Sequence, residues 1–204
     1  MLRRIAGELK DHAPFTALGA VTGIVIMVII VLGNVPLSIS HNVFYGLHPL
    51  HVLLSAQVTT AMYRKYSSGK IWAAILVGYF GSVGIATISD SIIPYLGEVL
   101  LELPNRGVHI GFIERWWLVN PIALVGVALG YWKQTTKFPH WGHVLISTWA
   151  SLFHNIMALG NTLSWITMLV IFLFLFLAVW IPCCLSDIVF PLLFVGKSLP
   201  AHDT

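Results

Sequence analysis

The stretch "HPLHVLLSAQVTTAMY", from His48 to Tyr63, is an apolar segment of helical length that begins with two histidines. Ninety-two residues later the chain contains "HWGHVLISTWASLFHN", from His140 to Asn155. The two segments share the frame H-x-x-H-V-L-[LI]-S-x-x-x-[ST], in which histidines and hydroxyl side chains recur at matching positions. Short apolar words recur easily in membrane proteins, whereas histidine pairs do not. The repeated frame therefore predicts two related halves.

The composition is that of an all-α polytopic membrane protein. The chain has 204 residues, of which 57% are hydrophobic and 9% charged, whereas a soluble domain carries about 25% charged residues. A bilayer span needs about 20 apolar residues, and the alternation of a transmembrane β-barrel is missing. We predict one transmembrane domain over residues 1–204 with about six spans. These lie at about 15–35, 47–63, 71–93, 116–132, 141–160 and 164–185.

The basic residues predict the orientation of the spans, because cytoplasmic loops are enriched in lysine and arginine. With six spans, only Arg106 and Arg115 fall on the outer side, in a predicted long loop over roughly residues 94–115 that also carries Glu98. The other nine share the opposite side: Arg3, Arg4, Lys10, Arg64, Lys65, Lys70, Lys133, Lys137 and Lys197. The expected location is the plasma membrane with both termini in the cytoplasm. The net charge of +3 thus reports topology rather than nucleic-acid binding.

A second repeated word follows each histidine frame. "SDSIIP" (Ser89–Pro94) ends the third span and "SDIVFP" (Ser186–Pro191) ends the sixth. Because each copy has three spans, the second copy enters the membrane from the opposite side. The sequence thus predicts a 3+3 inverted-topology repeat, an architecture frequent among transporters. The half-repeats cover about 12–97 and about 116–197.

A weaker match relates the first and fourth spans. Gly19 and Gly23 have the same spacing as Gly126 and Gly130. Their depths differ, because nine apolar residues (24–32) follow Gly23 whereas Lys133 comes three residues after Gly130. Glycines four apart mark close helix packing more often than function.

Each histidine frame predicts one polar stripe along a span. At about 100° per residue, His48, His51, Ser55 and Thr59 fall within about 80° of one another. A lipid-facing helix does not carry such a stripe, so it must face the protein interior or a wet path. The matching stripe contains His140, His143, Ser147, Ser151 and His154. The candidate substrate path comprises Ser55, Thr59, Ser147, Ser151, Ser89 and Ser186.

Two metal-binding groups are predicted, one toward each membrane face. Histidines three apart share a helical face, and Pro49 and Pro139 place each pair in a first helical turn. Two histidines with a carboxylate suit zinc or ferrous iron. The expected outer ligands are His48, His51, Asp90 and His154, with His41, His109 and Glu114 as further candidates from loops. The expected inner ligands are His140, His143 and Asp187.

Three functions fit these patterns. The first is a small transporter or channel for a cation, either a divalent metal or a proton-coupled ion. The second is an intramembrane metalloenzyme with zinc or iron at the outer group. The third is a non-catalytic membrane subunit whose polar stripes join helices. Expected partners are the lipid bilayer and a small ion, with homo-oligomers left open. The Cys183–Cys184 pair is expected to pack against lipid or protein.

Overall fold

All regular elements in the described part of the chain are helical. The computed structural model describes residues 2–67, 69–134, 137–159 and 164–195; the side chains of 2–6, 8, 11, 12, 137–141, 187 and 188 fall outside the description. The helices, in chain order, are α1 (Leu2–Leu32), α2 (Leu37–Tyr66), α3 (Ile71–Thr87), the π-helical turn π1 (Ile88–Ile92), α4 (Ile93–Leu100), α5 (Gly111–Glu114), α6 (Trp116–Trp132), α7 (Lys137–Leu159), α8 (Trp165–Cys184), the π-helical turn π2 (Leu185–Val189) and α9 (Phe190–Leu193).

Three of the described helical segments are long and apolar enough to cross a bilayer. They are Ala13–Leu32, Ile71–Leu100 and Trp165–Cys184, and Trp116–Trp132 is a shorter apolar helix. The chain is therefore a membrane protein. Helices α2 and α7, which carry the two histidine frames, are not among these three.

Large apolar side chains face outward and many polar side chains are buried, beside a buried apolar core. Along α8, large apolar side chains are exposed about every fourth residue, at Ile166, Leu169, Leu173, Leu177 and Ile181. Histidine, serine, threonine and carboxylate side chains of α2, π1 and α7 are buried. This arrangement suits a helix bundle in lipid, where polar groups need partners inside the protein. The described side chains of the polar stripes of α2 and α7 face the interior.

Helices α2 and α7 lie against each other in opposite directions. Phe44 of α2 contacts His154 near the end of α7, and His51 contacts His143 near its start. Helix α2 begins at Leu37, ten residues before the predicted span, so Pro49 lies inside the helix. The prediction that Pro49 marks a first turn was wrong, because the polar residues before His48 interrupt the apolar run without interrupting the helix. His51 is consequently at mid-helix.

Both Ser-Asp words lie in π-helical turns. Ser89 and Asp90 belong to π1, and the backbone of Ser186 and Asp187 belongs to π2. In each case an α-helix with proline in its first turn follows, where the missing N–H is tolerated. The third helix therefore continues past Pro94 to Leu100 rather than giving way to a loop at 94. Single π turns often occur at functional sites.

The glycine pairs of α1 and α6 allow close packing against α7 and α2. Gly19 packs on Thr148 and Gly23 on Leu152 of α7. Gly126 packs on Ala56 and Gly130 on Thr60 of α2. The histidine frame equates Ala56 with Thr148 and Thr60 with Leu152, so the two glycine pairs have matching partners.

We expect Gly126→Ala to destabilise the bundle by about 1–3 kcal/mol, because overpacking forces a backbone shift. The added Cβ would meet the Leu53 carbonyl oxygen and lie 2.8 Å from the Ala56 Cβ. Gly84→Ala is the matched control, since its Cβ would have no neighbour within 4 Å and alanine favours the helix by roughly 0.5–1 kcal/mol. Thermal unfolding in detergent measures both. Equal melting temperatures for the two variants would contradict the close packing.

Candidate metal centre and its surroundings

Asp90 is the centre of a buried hydrogen-bond network that joins α2, π1 and α7. Its Oδ2 lies 2.9 Å from His48 Nδ1 and 2.8 Å from His51 Nδ1. Its Oδ1 accepts from Ser89 Oγ at 2.7 Å and from Ser147 Oγ at 2.8 Å. With four donors, both oxygens of an ionised carboxylate are satisfied, which is what burial of such a group requires. When both imidazoles donate through Nδ1, their Nε2 atoms carry the free lone pairs.

The Nε2 atom of His51 faces a group of potential metal ligands. Cys183 Sγ lies 3.9 Å from it, and the His143 ring stacks on the His51 ring at 5.7 Å with an interplanar angle of 3°. One ligand atom each from His51, His143 and Cys183 lies within 4.8 Å of the others, and all three residues are buried. We call these three residues the central site. It joins α2, α7 and the end of α8.

The chemistry of the central site fits a transition metal. Zinc binds histidine nitrogen at about 2.0–2.1 Å and cysteine sulfur at about 2.3 Å, so tetrahedral geometry separates the two ligand atoms by about 3.6 Å. The observed 3.9 Å is close to that separation. The Asp90 carboxylate behind His51 is the usual outer partner of a metal-binding histidine. Thiolate and imidazole favour zinc or Cu(I) over Mg²⁺ and Ca²⁺.

Hydroxyl groups continue from the central site in two matching sets. Ser55 Oγ lies 3.2 Å from Ser186 Oγ, and Ser147 Oγ lies 3.3 Å from Ser89 Oγ. Thr59 Oγ1 donates to the Ser186 carbonyl at 3.4 Å, and Ser151 Oγ donates to the Ser89 carbonyl at 2.9 Å. All six predicted path residues are buried. These two contacts in one set have counterparts, under the repeated frames, in the other.

A second group of histidines lies near the beginning of α2 and the end of α7. We call His41, His109 and His154 the peripheral cluster. The rings of His109 and His154 are 5.3 Å apart, and those of His41 and His109 are 6.3 Å apart. His154 Nδ1 lies 2.6 Å from Glu98 Oε1, and both side chains are fully buried. The other oxygen of Glu98 accepts from the Gly107 N–H at 3.3 Å.

His109 connects the peripheral cluster to an open cavity. The cavity has a volume of about 360 Å³, and its lining includes His41, Asn105 and His109. Burial, followed by repulsion from His154, lowers the pKa of His109, while the Glu98 carboxylate opposes the shift. The neutral imidazole, which is the ligand form, is thereby favoured at His109. Glu114 lies 3.7 Å from His109 Nδ1 and accepts from the Tyr45 hydroxyl.

Phe44 separates the peripheral cluster from Asp90. Its buried ring stacks on His48 at 5.6 Å and meets the edge of His154 at 5.4 Å. Gly111 packs directly on His48, since a Cβ there would lie 2.6 Å from His48 Nε2. This Nε2 is buried and has no hydrogen-bond partner among the described residues.

The predicted ligands therefore come together in a different grouping. His48, His51 and Asp90 meet as expected, but Asp90 accepts hydrogen bonds from both imidazoles. His143, predicted in a separate inner group, lies on His51 because α2 extends past it and α7 runs alongside. His154 lies beyond Phe44, with His109 and Glu98. The side chains of His140 and Asp187 are outside the described residues.

Two residues of these sites were not predicted as ligands or partners. Cys183 lies three residues before Ser186, and that spacing places both on one helical face. The signal was thus present, although Cys184 made the pair ambiguous. Glu98 was predicted to lie in the outer loop, because the third span was predicted to end before Pro94.

Comparisons of the chain with protein-family models, curated proteins and solved structures found no match.

Proposed function

We propose that this protein is a small membrane transporter or channel for a transition-metal cation, with the central site as the binding point of the ion. The observation that carries the proposal is the buried convergence of His51, His143 and Cys183, with Asp90 bonded to His51. Ionisable residues inside a membrane bundle are costly and commonly mark ion pathways. The metal here is cargo, held by three ligands with a fourth position for water or an exit ligand.

The position of the central site favours transport. His51 lies about 21 Å from either end of α2 at 1.5 Å per residue, so the ion is held near the middle of the helix. The two matching hydroxyl sets extend from this point along both halves. Binding near the midplane, between related halves, is typical of secondary transporters.

Six spans in a 3+3 inverted repeat are part of this proposal. Its support is the matching of the two π-helical Ser-Asp turns, of the hydroxyl bonds and of the glycine contacts. The stacked rings of His51 and His143, equivalent residues of the two frames, then lie where a two-fold pseudo-axis would pass. We also propose that both termini are cytoplasmic, by the distribution of basic residues, and that the membrane is the plasma membrane.

Uptake by proteoliposomes tests the proposed function. We expect purified protein to admit Zn²⁺ or Cd²⁺ into dye-loaded liposomes above the level of protein-free liposomes, without competition from millimolar Mg²⁺. Tyr79→Phe is the control for the loss of a polar contact that lies away from the site. It removes the 3.0 Å hydrogen bond from the Tyr79 hydroxyl to Asn120 Oδ1. Its uptake should equal that of the wild type. No uptake of either metal above background would refute transport.

An intramembrane metalloenzyme is the second candidate. The central site offers three ligands, as do catalytic zinc sites, which keep one position open. A resident catalytic metal stays bound through purification and dialysis, whereas a transported ion exchanges. Retention of one metal per chain after extensive dialysis, combined with no flux, would favour the enzyme.

A further inference from the structure

The peripheral cluster is assembled from three separate parts of the chain. His41 comes from α2, His154 from α7, and His109 from the loop between α4 and α5. The loop is held in place by hydrogen bonds from Asn105 N–H to the Ala158 carbonyl at 3.2 Å and from Ser91 Oγ to the His109 carbonyl at 2.6 Å. The meeting of the three imidazoles is thus a property of the fold.

His154 has the surroundings of a metal ligand. Glu98 binds its Nδ1, and Nε2 is buried without a hydrogen-bond partner among the described residues. Leaving a buried polar atom unpaired is costly, because its hydration is lost without replacement. A carboxylate on one ring nitrogen with the other left bare is the usual arrangement around a metal-bound histidine. A histidine that only joined two helices by hydrogen bonding would need neither the buried Glu98 carboxylate nor an Nε2 atom without a partner among the described residues.

The cluster is also accessible to an ion from solution. The 360 Å³ cavity reaches His41 and His109, and the His109 ring is in edge contact with the His154 ring. Beyond His154, the ring of Phe44 blocks the way to His48. The peripheral cluster and the central site are therefore two separate groups of histidines, with Phe44 between them.

We propose that His109 and His154, with His41 at the cavity, form a second metal site, which takes a divalent cation such as Zn²⁺, Co²⁺ or Ni²⁺ from solution. Imidazole ligands suit these divalent metals, whereas Cu(I) prefers sulfur. The three rings are widely spaced, so the ion is held weakly and exchanges. Glu98 is a positioning residue, which holds His154 without touching the ion. Delivery of this ion past Phe44 to the central site rests on the proposed function; binding at the cluster does not.

Cobalt titration of the purified full-length protein in detergent separates the two sites. Co²⁺ bound to Cys183 gives a thiolate charge-transfer band in the near ultraviolet, whereas Co²⁺ on imidazoles alone does not. We expect the wild type to bind two Co²⁺ ions, only the tighter of which produces the band. His154→Gln should remove the weaker ion and keep the band, and Cys183→Ser should do the reverse.

Two further variants support the test. His109→Gln changes a half-buried loop residue, so it replaces His154→Gln in the test if that variant does not fold. It should also remove the weaker Co²⁺ ion. Glu98→Gln should weaken that ion by about 10- to 100-fold, as expected for an outer partner, with the band unchanged. If neither histidine variant changes the binding of the weaker Co²⁺ ion, the proposed peripheral site is wrong. If the wild type binds the weaker Co²⁺ ion but shows no charge-transfer band, the result would contradict the proposed function and leave the peripheral site standing.

Discussion

Asp90→Asn is expected to reduce metal uptake at limiting metal concentration by about 10- to 100-fold, the usual cost of removing an outer partner of a metal ligand. The side chain keeps its shape, and the hydroxyls of Ser89 and Ser147 can rotate to accept from the new amide. What is lost is the negative charge that both imidazoles contact at 2.8–2.9 Å. His51 becomes a poorer donor to the metal, and the charge that balances a bound cation disappears.

Tyr79→Phe is the control outside the site, and Ser147→Ala compares the loss of one path hydroxyl with the loss of the Asp90 charge. Ser147→Ala removes one of the two hydroxyl bonds to Asp90 Oδ1 and leaves Ser89 in place, so the carboxylate stays charged and oriented. We expect uptake within a few-fold of the wild type. Size-exclusion profiles and melting temperatures check that both variants fold. If the serine and asparagine variants lose uptake equally, the network supports the structure rather than the ion.

The contacts of Asp90 with two histidines could be predicted from the sequence, whereas the grouping of the other histidines could not. The pairing of Asp90 with His48 and His51 followed from helix periodicity and from the antiparallel course of neighbouring spans. The contact between His51 and His143 did not, because it depends on where α2 begins. Hydropathy predicted that this span begins next to His48, whereas the helix begins at Leu37. A shift of ten residues moves a histidine from the end of a helix to its middle.

Pro94 shows a second limit of sequence reasoning. A proline within an apolar run usually ends a helix, so the residues after it were interpreted as an outer loop. The π turn at Ile88–Ile92 precedes the proline, which lies in the first turn of α4. The sequence pattern predicted neither π turn, although both contain a Ser-Asp pair. Glu98 therefore appeared to be a loop residue, although it is fully buried.

Cys183→Ser is expected to reduce the affinity of the central site for Cd²⁺ or Co²⁺ by about 100-fold or more, because losing a direct ligand costs more than losing an outer partner. The change replaces one sulfur by oxygen and alters packing little. The charge-transfer band should disappear, and uptake should fall with the affinity. Titration of the band and uptake at limiting metal concentration measure the two effects.

Cys184→Ser is the control that makes this prediction sharp. Cys184 is the next residue and is equally buried, yet only Cys183 belongs to the group with His51 and His143. Adjacent residues of a helix point about 100° apart, so one thiol faces the site and the other faces elsewhere. We expect Cys184→Ser to keep the band and the uptake. If both serine variants behave alike, the thiol contributes to packing, and the central site holds no metal through Cys183.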